Sequence, residues 1–422
     1  MIGGGRISRH RAAIYSMISL GLRLLTAPLC ILLIANKLSI EEQALYYTFI
    51  AIGAIQFVFE LGMNTCMVQK LSSLKDRVIE YISFGYIYIL TAMILLFISL
   101  QIYYTWVVGE LSFEWLLYSL FLSINLLMNF ILAIREGCGA INHVYKTKLR
   151  SSVAYSLVLI LSLFLGAELY SLSLAQFAIL TSIVLSLYFD GFKVEFKILR
   201  LKTIKFIFKD IISFQYKLSL VWFFGYFYWN AYSVYFYKYI GVNEAAQYGA
   251  TNAVFGAIAI GMASWLQTKR ASLGRLVSDG EISKTIYIAI HSSILSIIGY
   301  LIISSVFVVA LHYKIFSEFS DRFMPMELLY FIMAIRFSIL IQELILVYLR
   351  VYNDEPLYLF SLTNYMLTPF IIYYCHSYND IKLTLAISFI VQVIFVFIMT
   401  LKSINYITCK VKSERKNLKG TV

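Results

Sequence analysis

Apolar residues run along this chain in blocks of about 20, separated by short polar stretches in which lysine and arginine recur. That is the length an α-helix needs to cross the roughly 30 Å hydrocarbon core of a bilayer. Lipid offers the backbone no hydrogen-bond partners, so such blocks read as helices that satisfy their own N–H and C=O groups. The pattern predicts twelve spans, at 14–35, 45–67, 82–101, 113–135, 151–166, 172–189, 212–237, 246–266, 286–311, 326–349, 357–375 and 382–402. The fifth is the shortest. The expected fold class is an all-α polytopic membrane protein with twelve transmembrane helices in two parallel six-helix lobes.

Charge tests that count, because basic residues concentrate in cytoplasmic loops. With the N-terminus inside, the outer loops hold only Lys37, Lys238, Lys314, Arg322 and Lys382, and the spans hold Arg23, Lys217 and Arg336. Every other lysine and arginine falls on the inner side. A chain that is 60% hydrophobic and 14% charged, with a mean hydropathy of +0.79, cannot hide its apolar surface in a water-soluble core. The net charge of +12 is explained by the inner loops, and no nucleic-acid partner is expected. The basic start (Arg6, Arg9, Arg11) precedes an apolar stretch longer than the about 7 to 15 residues of a signal-peptide core, so it reads as a retained first helix. The five cysteines, Cys30, Cys66, Cys138, Cys375 and Cys409, read as small apolar filler.

The longest basic stretch, 192–210, divides six spans from six, and its mixture of apolar and basic residues predicts an amphipathic linker on the inner leaflet. The expected organisation is an N-terminal lobe at 1–191, this linker, a C-terminal lobe at 211–403 and a basic cytoplasmic tail at 404–422. A short echo supports two like halves: Glu42-Gln-Ala-Leu-Tyr46 aligns with Glu244-Ala-Ala-Gln-Tyr248. Six spans per half make the repeat parallel, and such carriers bind between their halves near the bilayer midplane.

A charge at bilayer depth costs about 2.5 to 3.5 kcal/mol even on the lenient insertion scale, so the ionisable residues inside the spans are the most informative positions. Arg23 shares one helix face with Ser16, Ser19, Thr26 and Cys30, and Pro28 is expected to bend that helix. In the second span Gly53, Gln56, Glu60 and Asn64 form another polar stripe, with Glu60 within reach of Arg23. The two are either a structural ion pair or part of a polar pathway. Arg336 and Glu343 lie on one face of the tenth span, about 10 Å apart along its axis, too far to pair directly. Lys217 sits one turn inside the seventh span, where it either faces cargo or snorkels to the interface. Asn125, Asn129 and Glu136 share a face of the fourth. Guanidinium groups at such depth suit an anionic cargo, with Arg23, Arg336 and Lys217 as its candidate binding residues. Glu60 and Glu343 are candidates for coupling to a proton or cation, or for ion pairing. Ser19, Thr26, Gln56, Asn64, Asn125 and Asn129 are the candidate polar lining.

The chain contains no P-loop, no HExxH, no GxSxG and no Cys or His pair at metal-ligand spacing, so no metal or cofactor is expected. The aromatic run at 222–239 is denser than an interfacial belt requires, and helix packing accounts for it before sugar stacking does.

The segment LGLRLLTAPLCILLIANKLSIEEQALYYTFIAIGAIQFVFELGMNTCMVQKLS resembles the polysaccharide-exporting branch of the multidrug, oligosaccharidyl-lipid and polysaccharide (MOP) exporter superfamily. Within that branch it is most similar to the O-antigen flippases called Wzx. The matching pieces are a first helix with a proline, a Glu-Glu-x-Ala-Leu-Tyr-Tyr turn, and Glu60-Leu61-Gly62 followed by a polar exit. The rest matches in layout, through twelve helices, a basic middle loop and the Glu-x-x-x-Tyr echo. The resemblance implies a V-shaped pair of lobes around a cationic lumen. Through it an undecaprenyl-pyrophosphate-linked repeat unit moves to the periplasmic leaflet of a bacterial inner membrane by alternating access. It implies an ion gradient, H+ or Na+, as the energy source, and polysaccharide polymerase or chain-length machinery as partners. In that superfamily the first, second, seventh and eighth helices line the lumen, which places Arg23, Glu60 and Lys217 there and leaves Arg336 on a helix outside those four. Two other classes compete. A membrane-bound polymerase or glycosyltransferase generally carries a large outer loop, and the longest outer loop here runs only from 312 to 325. A drug exporter of the same fold favours acidic lumen groups for cationic drugs, whereas two arginines lie at mid-depth here.

Overall fold

The computed structural model describes residues 28–73, 76–193, 195–313, 320–352, 358–376 and 380–419, with a few isolated positions before residue 28. Among the described residues it is all-helical, and nine helices are long and apolar enough to cross a membrane. The chain divides into two compact units, Met1–Ala246 and Gln247–Val422.

In the first unit, α1 (Pro28–Lys37) is the described part of the first span. The second span is three pieces, α2 (Ile40–Gly53), α3 (Gln56–Glu60) and α4 (Met63–Ser73). Then come α5 (Val78–Val108), α6 (Phe113–Gly137), α7 (Ile141–Phe164), α8 (Tyr170–Phe189) and α9 (Leu201–Tyr235). A π-helical turn, Phe236–Ile240, follows α9. The α2 N-terminus is fixed by a reciprocal cap in which Ser39 Oγ accepts the Glu42 N–H and Glu42 Oε2 accepts the Ser39 N–H.

Apolar burial does little to hold helices together in lipid, so close packing and interhelical hydrogen bonds must do it. At Gly137 the end of α6 meets α4 so closely that a Cβ would lie 2.8 Å from Leu71 Cβ and 3.2 Å from Val68 Cα. Trp115, fully buried, stacks on Tyr104 at 4.4 Å and meets Phe49 edge-on at 5.0 Å, tying α2, α5 and α6. Asn125 Nδ2 donates to the Gln176 carbonyl at 3.0 Å and to its Oε1 at 2.9 Å, joining α6 to α8. Before α1, Ser19 Oγ donates to Ser152 Oγ at 2.9 Å and Thr26 Oγ1 lies 3.3 Å from Ser156 Oγ, so this face of the first span packs on α7.

The second unit takes in most of α10 (Val242–Gln267), then α11 (Arg270–Ser278), α12 (Ile282–His312), α13 (Met326–Leu349), α14 (Tyr358–His376) and α15 (Ile381–Lys419). Its α12 has the same 31-residue length as α5. The Glu244 echo also has a structural counterpart: Val242 opens α10 as Ile40 opens α2, and Tyr248 and Tyr46 are both buried.

Among the described residues every predicted span falls on helix, the first continuously only from Pro28, and the differences lie at the ends and in the second span. The fifth, expected at 151–166, begins ten residues earlier at Ile141 and carries Lys146, Lys148 and Arg150 on its first turns. A helix has no reason to stop where the hydrocarbon does, since its side chains can be charged at headgroup level. The last helix likewise continues through the basic tail to Lys419. The described residues among 192–200 are not helical, and the second half of the linker is the start of α9.

Candidate functional site

The second span breaks at the residues that carried the resemblance. Leu61 takes left-handed backbone (φ 49°) and Gly62 follows at φ 69°. For leucine this conformation costs about 1 to 2 kcal/mol, and for glycine almost nothing. An interrupted helix at membrane depth also frees backbone groups that lipid cannot satisfy. Neighbouring side chains take them up. Tyr88 Oη of α5 donates to the Phe59 carbonyl at 3.2 Å and reaches toward that of Glu60 at 3.5 Å. Ser219 Oγ of α9 donates to the Leu61 carbonyl at 3.3 Å. The Glu60 carboxylate accepts the backbone N–H of Asn64, on the first turn of α4. A carboxylate there meets both an unsatisfied N–H and the positive end of the helix dipole.

The same groove gathers further polar and aromatic groups. Gln215, buried on α9, hydrogen-bonds Tyr88 Oη. One and two turns on, Ser219 and Trp222 continue that face of α9, and Trp222 stacks on Phe57 at 5.4 Å. Asn64 Oδ1 is buried and has no hydrogen-bond partner. The second span thus presents Phe57, Glu60 and Asn64 to Tyr88, Gln215, Ser219 and Trp222.

The other expected residues of this unit are dispersed. Arg23 lies outside the described residues, so its relation to Glu60 is not described. Lys217 is on α9, and its side chain lies outside the described residues. Gly53 lets α2 approach α6, since a Cβ there would meet Tyr118 Oη at 2.7 Å. Gln56 is half-buried. Asn125 is engaged with Gln176, Asn129 is exposed, and Glu136 is bound by Lys148 at 3.0 Å and by Tyr145 at 3.2 Å.

In the second unit the Arg336 guanidinium of α13 is held by α10, where its Nε donates to Asn252 Oδ1 at 2.7 Å. One turn further along α10, Gly256 leaves room for it: a Cβ there would lie 3.8 Å from the guanidinium carbon. Two turns along α13, Glu343 Oε1 accepts Gln267 Nε2 at 2.7 Å. Each of the two charges thus has an amide of α10 among its partners. A third polar group joins three helices. Gln342 Oε1 accepts Asn364 Nδ2 at 3.3 Å and Gln392 Nε2 at 2.9 Å, while Gln392 Oε1 accepts Asn364 Nδ2 at 3.1 Å. All three amides are buried.

The sequence named the ionisable residues but not the neutral groups around them: Asn252 and Gln267, which bind Arg336 and Glu343, Tyr88 and Gln215 at the broken span, and the amide triad. A lone amide within an apolar run was the available signal, clearest for Gln392 between Val391 and Val393. Among the described residues no group of His, Cys, Asp and Glu could hold a metal ion.

The fold is that of membrane transporters of the MOP superfamily. The chain is similar to a MOP superfamily transporter from Pyrococcus furiosus whose binding pocket has reversed polarity, with a TM-score of 0.60, 12% identity and 95% of each chain covered. It is similar to an inward-facing multidrug resistance MATE transporter of that superfamily at TM-score 0.61 and 11% identity, covering 95% of this chain and 99% of the other. A third similar structure is the MATE transporter ClbM in complex with Rb+, at TM-score 0.56 and 14% identity, covering 100% and 98%. No family model matches the sequence, and no curated protein does. The likeness is one of fold, and among the described residues nine helices are long and apolar enough to cross a membrane.

Proposed function

We propose that this protein flips an undecaprenyl-pyrophosphate-linked saccharide, an O-antigen or related polysaccharide repeat unit, from the cytoplasmic to the periplasmic leaflet of a bacterial inner membrane. The observation that carries the reading is Arg336, a guanidinium within an apolar span that is oriented by an amide at 2.7 Å. The Asn252 amide orients the guanidinium fork, and planar forks match the oxygens of a pyrophosphate. Arg23 and Lys217 are proposed as further cationic contacts, and the lobes as the moving bodies of an alternating-access cycle. Glu60, beside a broken helix and an unpaired Asn64 Oδ1, is the proposed coupling group for H+ or Na+. No catalytic role is assigned to any residue.

A MATE-like exporter is the second reading, favoured by the MATE transporters among the similar structures. Deleting the gene in its host and examining both surface glycan and the lipid-linked pool separates the readings. Loss of surface glycan with repeat units held on the inner leaflet supports the flippase. Single repeat units reaching the surface indicate a polymerase. Unchanged glycan with altered drug tolerance indicates the exporter.

A further inference from the structure

The start of α9 carries a basic surface that the transport reading does not use. At 35 residues and about 1.5 Å per residue the helix is about 52 Å long, against a hydrocarbon core of roughly 30 Å. Its apolar segment begins near Ile211, so the first ten residues, Leu201–Asp210, extend past the core to the level of the lipid headgroups.

This protruding part is held to its own unit along one side. Ile207 and Ile211 are buried. Asp210 Oδ2 accepts Lys70 Nζ and Tyr81 Oη, both at 2.7 Å, from α4 and α5. The preceding segment and the helix start are strapped down too. The Lys197 N–H donates to Ser83 Oγ at 2.8 Å, Lys197 Nζ pairs with Glu80 at 3.1 Å, and the Arg77 guanidinium covers the Phe206 ring at 4.8 Å. With Ile207 and Ile211 turned inward, helical periodicity turns Lys202, Lys205 and Lys209 outward on the opposite face. All three are exposed and form no ion pair among the described residues. Phe206 and Phe208, each more than half exposed, flank them.

We infer that this face is a docking surface for anionic phospholipid headgroups, with the lysines meeting phosphates and Phe208 entering the acyl boundary. The charge selects the partner, because three aligned lysines at headgroup depth gain nothing from a zwitterionic surface and attract an anionic one. Their stems reach outward while the Phe208 ring stays in contact with lipid. Because Asp210 and Ile207 fix the helix rotation, the lysines are presented together. The inference does not depend on what the protein carries.

The test is a titration of the purified full chain with dansyl-labelled phosphatidylglycerol and, in parallel, dansyl-labelled phosphatidylcholine at matched ionic strength. The wild type is expected to prefer phosphatidylglycerol. The triple variant K202Q/K205Q/K209Q should lose about fivefold per lysine, of the order of a hundredfold in all. The control K146Q/R150Q, which removes inner-loop charge from α7, should retain the preference. No preference in the wild type, retention in the triple variant, or equal loss in the control would each overturn the inference. So would displacement of the lipid by free inorganic phosphate, which would make the surface a soluble-anion site.

Discussion

Replacing Asn252 with aspartate tests whether the charge of Arg336 meets the cargo. The change is nearly isosteric, and it sets a carboxylate where an amide oxygen now accepts Arg336 Nε at 2.7 Å. Two unit charges about 4 Å apart attract by about 4 kcal/mol at an effective dielectric of 20. A resident carboxylate therefore cancels roughly what a cargo phosphate at the same distance would gain. At about 1.4 kcal/mol per decade, that predicts cargo affinity lower by about a thousandfold. The fold should be kept or strengthened, since a guanidinium gains a hydrogen-bonded counter-ion where it already has the geometry. The assay has two readouts, surface glycan restored in the deletion strain and the amount and melting temperature of purified protein. The expected result for Asn252→Asp is loss of export with wild-type yield and equal or higher melting temperature. Asn252→Ala, which keeps the charge and releases the fork, should be milder. Wild-type export by Asn252→Asp would refute the reasoning, because the cargo would then be indifferent to the neutralised guanidinium.

Three further outcomes follow from the geometry. Glu60→Gln keeps an acceptor for the Asn64 N–H but removes the charge, so vesicle transport should lose its dependence on an imposed H+ or Na+ gradient while protein yield is unchanged; gradient dependence that survives would remove Glu60 from coupling. Gly137→Ala sets a methyl 2.8 Å from Leu71 Cβ and 3.2 Å from Val68 Cα, and overpacking of that kind should cost about 1 to 3 kcal/mol, read as a lower melting temperature in detergent. For Asp190, just past the end of α8, partial burial alone would raise the carboxyl pKa, but hydrogen bonds from Arg135 and His143 outweigh it and hold the pKa below the ordinary 3.8. The unfolded state therefore binds the proton more readily, so the stability this group adds is present above its unfolded pKa and is lost as pH falls through its folded one. The melting temperature should decline below about pH 4, and Asp190→Asn should flatten that part of the profile.

What the sequence made legible was whatever a single helix decides by itself. Among the described residues the apolar blocks fall on helices because the length of a span is set by the bilayer and by one segment's own residues. The separation of Arg336 from Glu343 could also be computed in advance, since both lie on α13 and the rise per residue is fixed. The break at Leu61–Gly62 was not legible, because a glycine in an apolar run usually costs little and stays helical. Here the break persists because Tyr88 and Ser219 satisfy the freed carbonyls, and both come from other helices. Asn125 illustrates the same limit. Its spacing along α6 gave the face it occupies, but only the neighbouring α8 shows that its amide is bound to Gln176.

The two units hold their intramembrane charges by one device with opposite sign. Glu60 is met by a backbone N–H at the start of a helix, and Arg336 is oriented by a side-chain amide. An ion pair built only for stability could be replaced by apolar packing at little cost, and a charge placed in lipid without function would be expensive. Dipoles such as the Asn64 N–H and the Asn252 amide fix where a charge sits and which way it points. Glu60 sits where Tyr88 and Ser219 take up the carbonyls freed by the broken span. For Arg336, Gly256 leaves space where any side chain would come within contact distance of the guanidinium. The proposed division, coupling at Glu60 in the first unit and cargo recognition at Arg336 in the second, is what Glu60→Gln and Asn252→Asp examine separately.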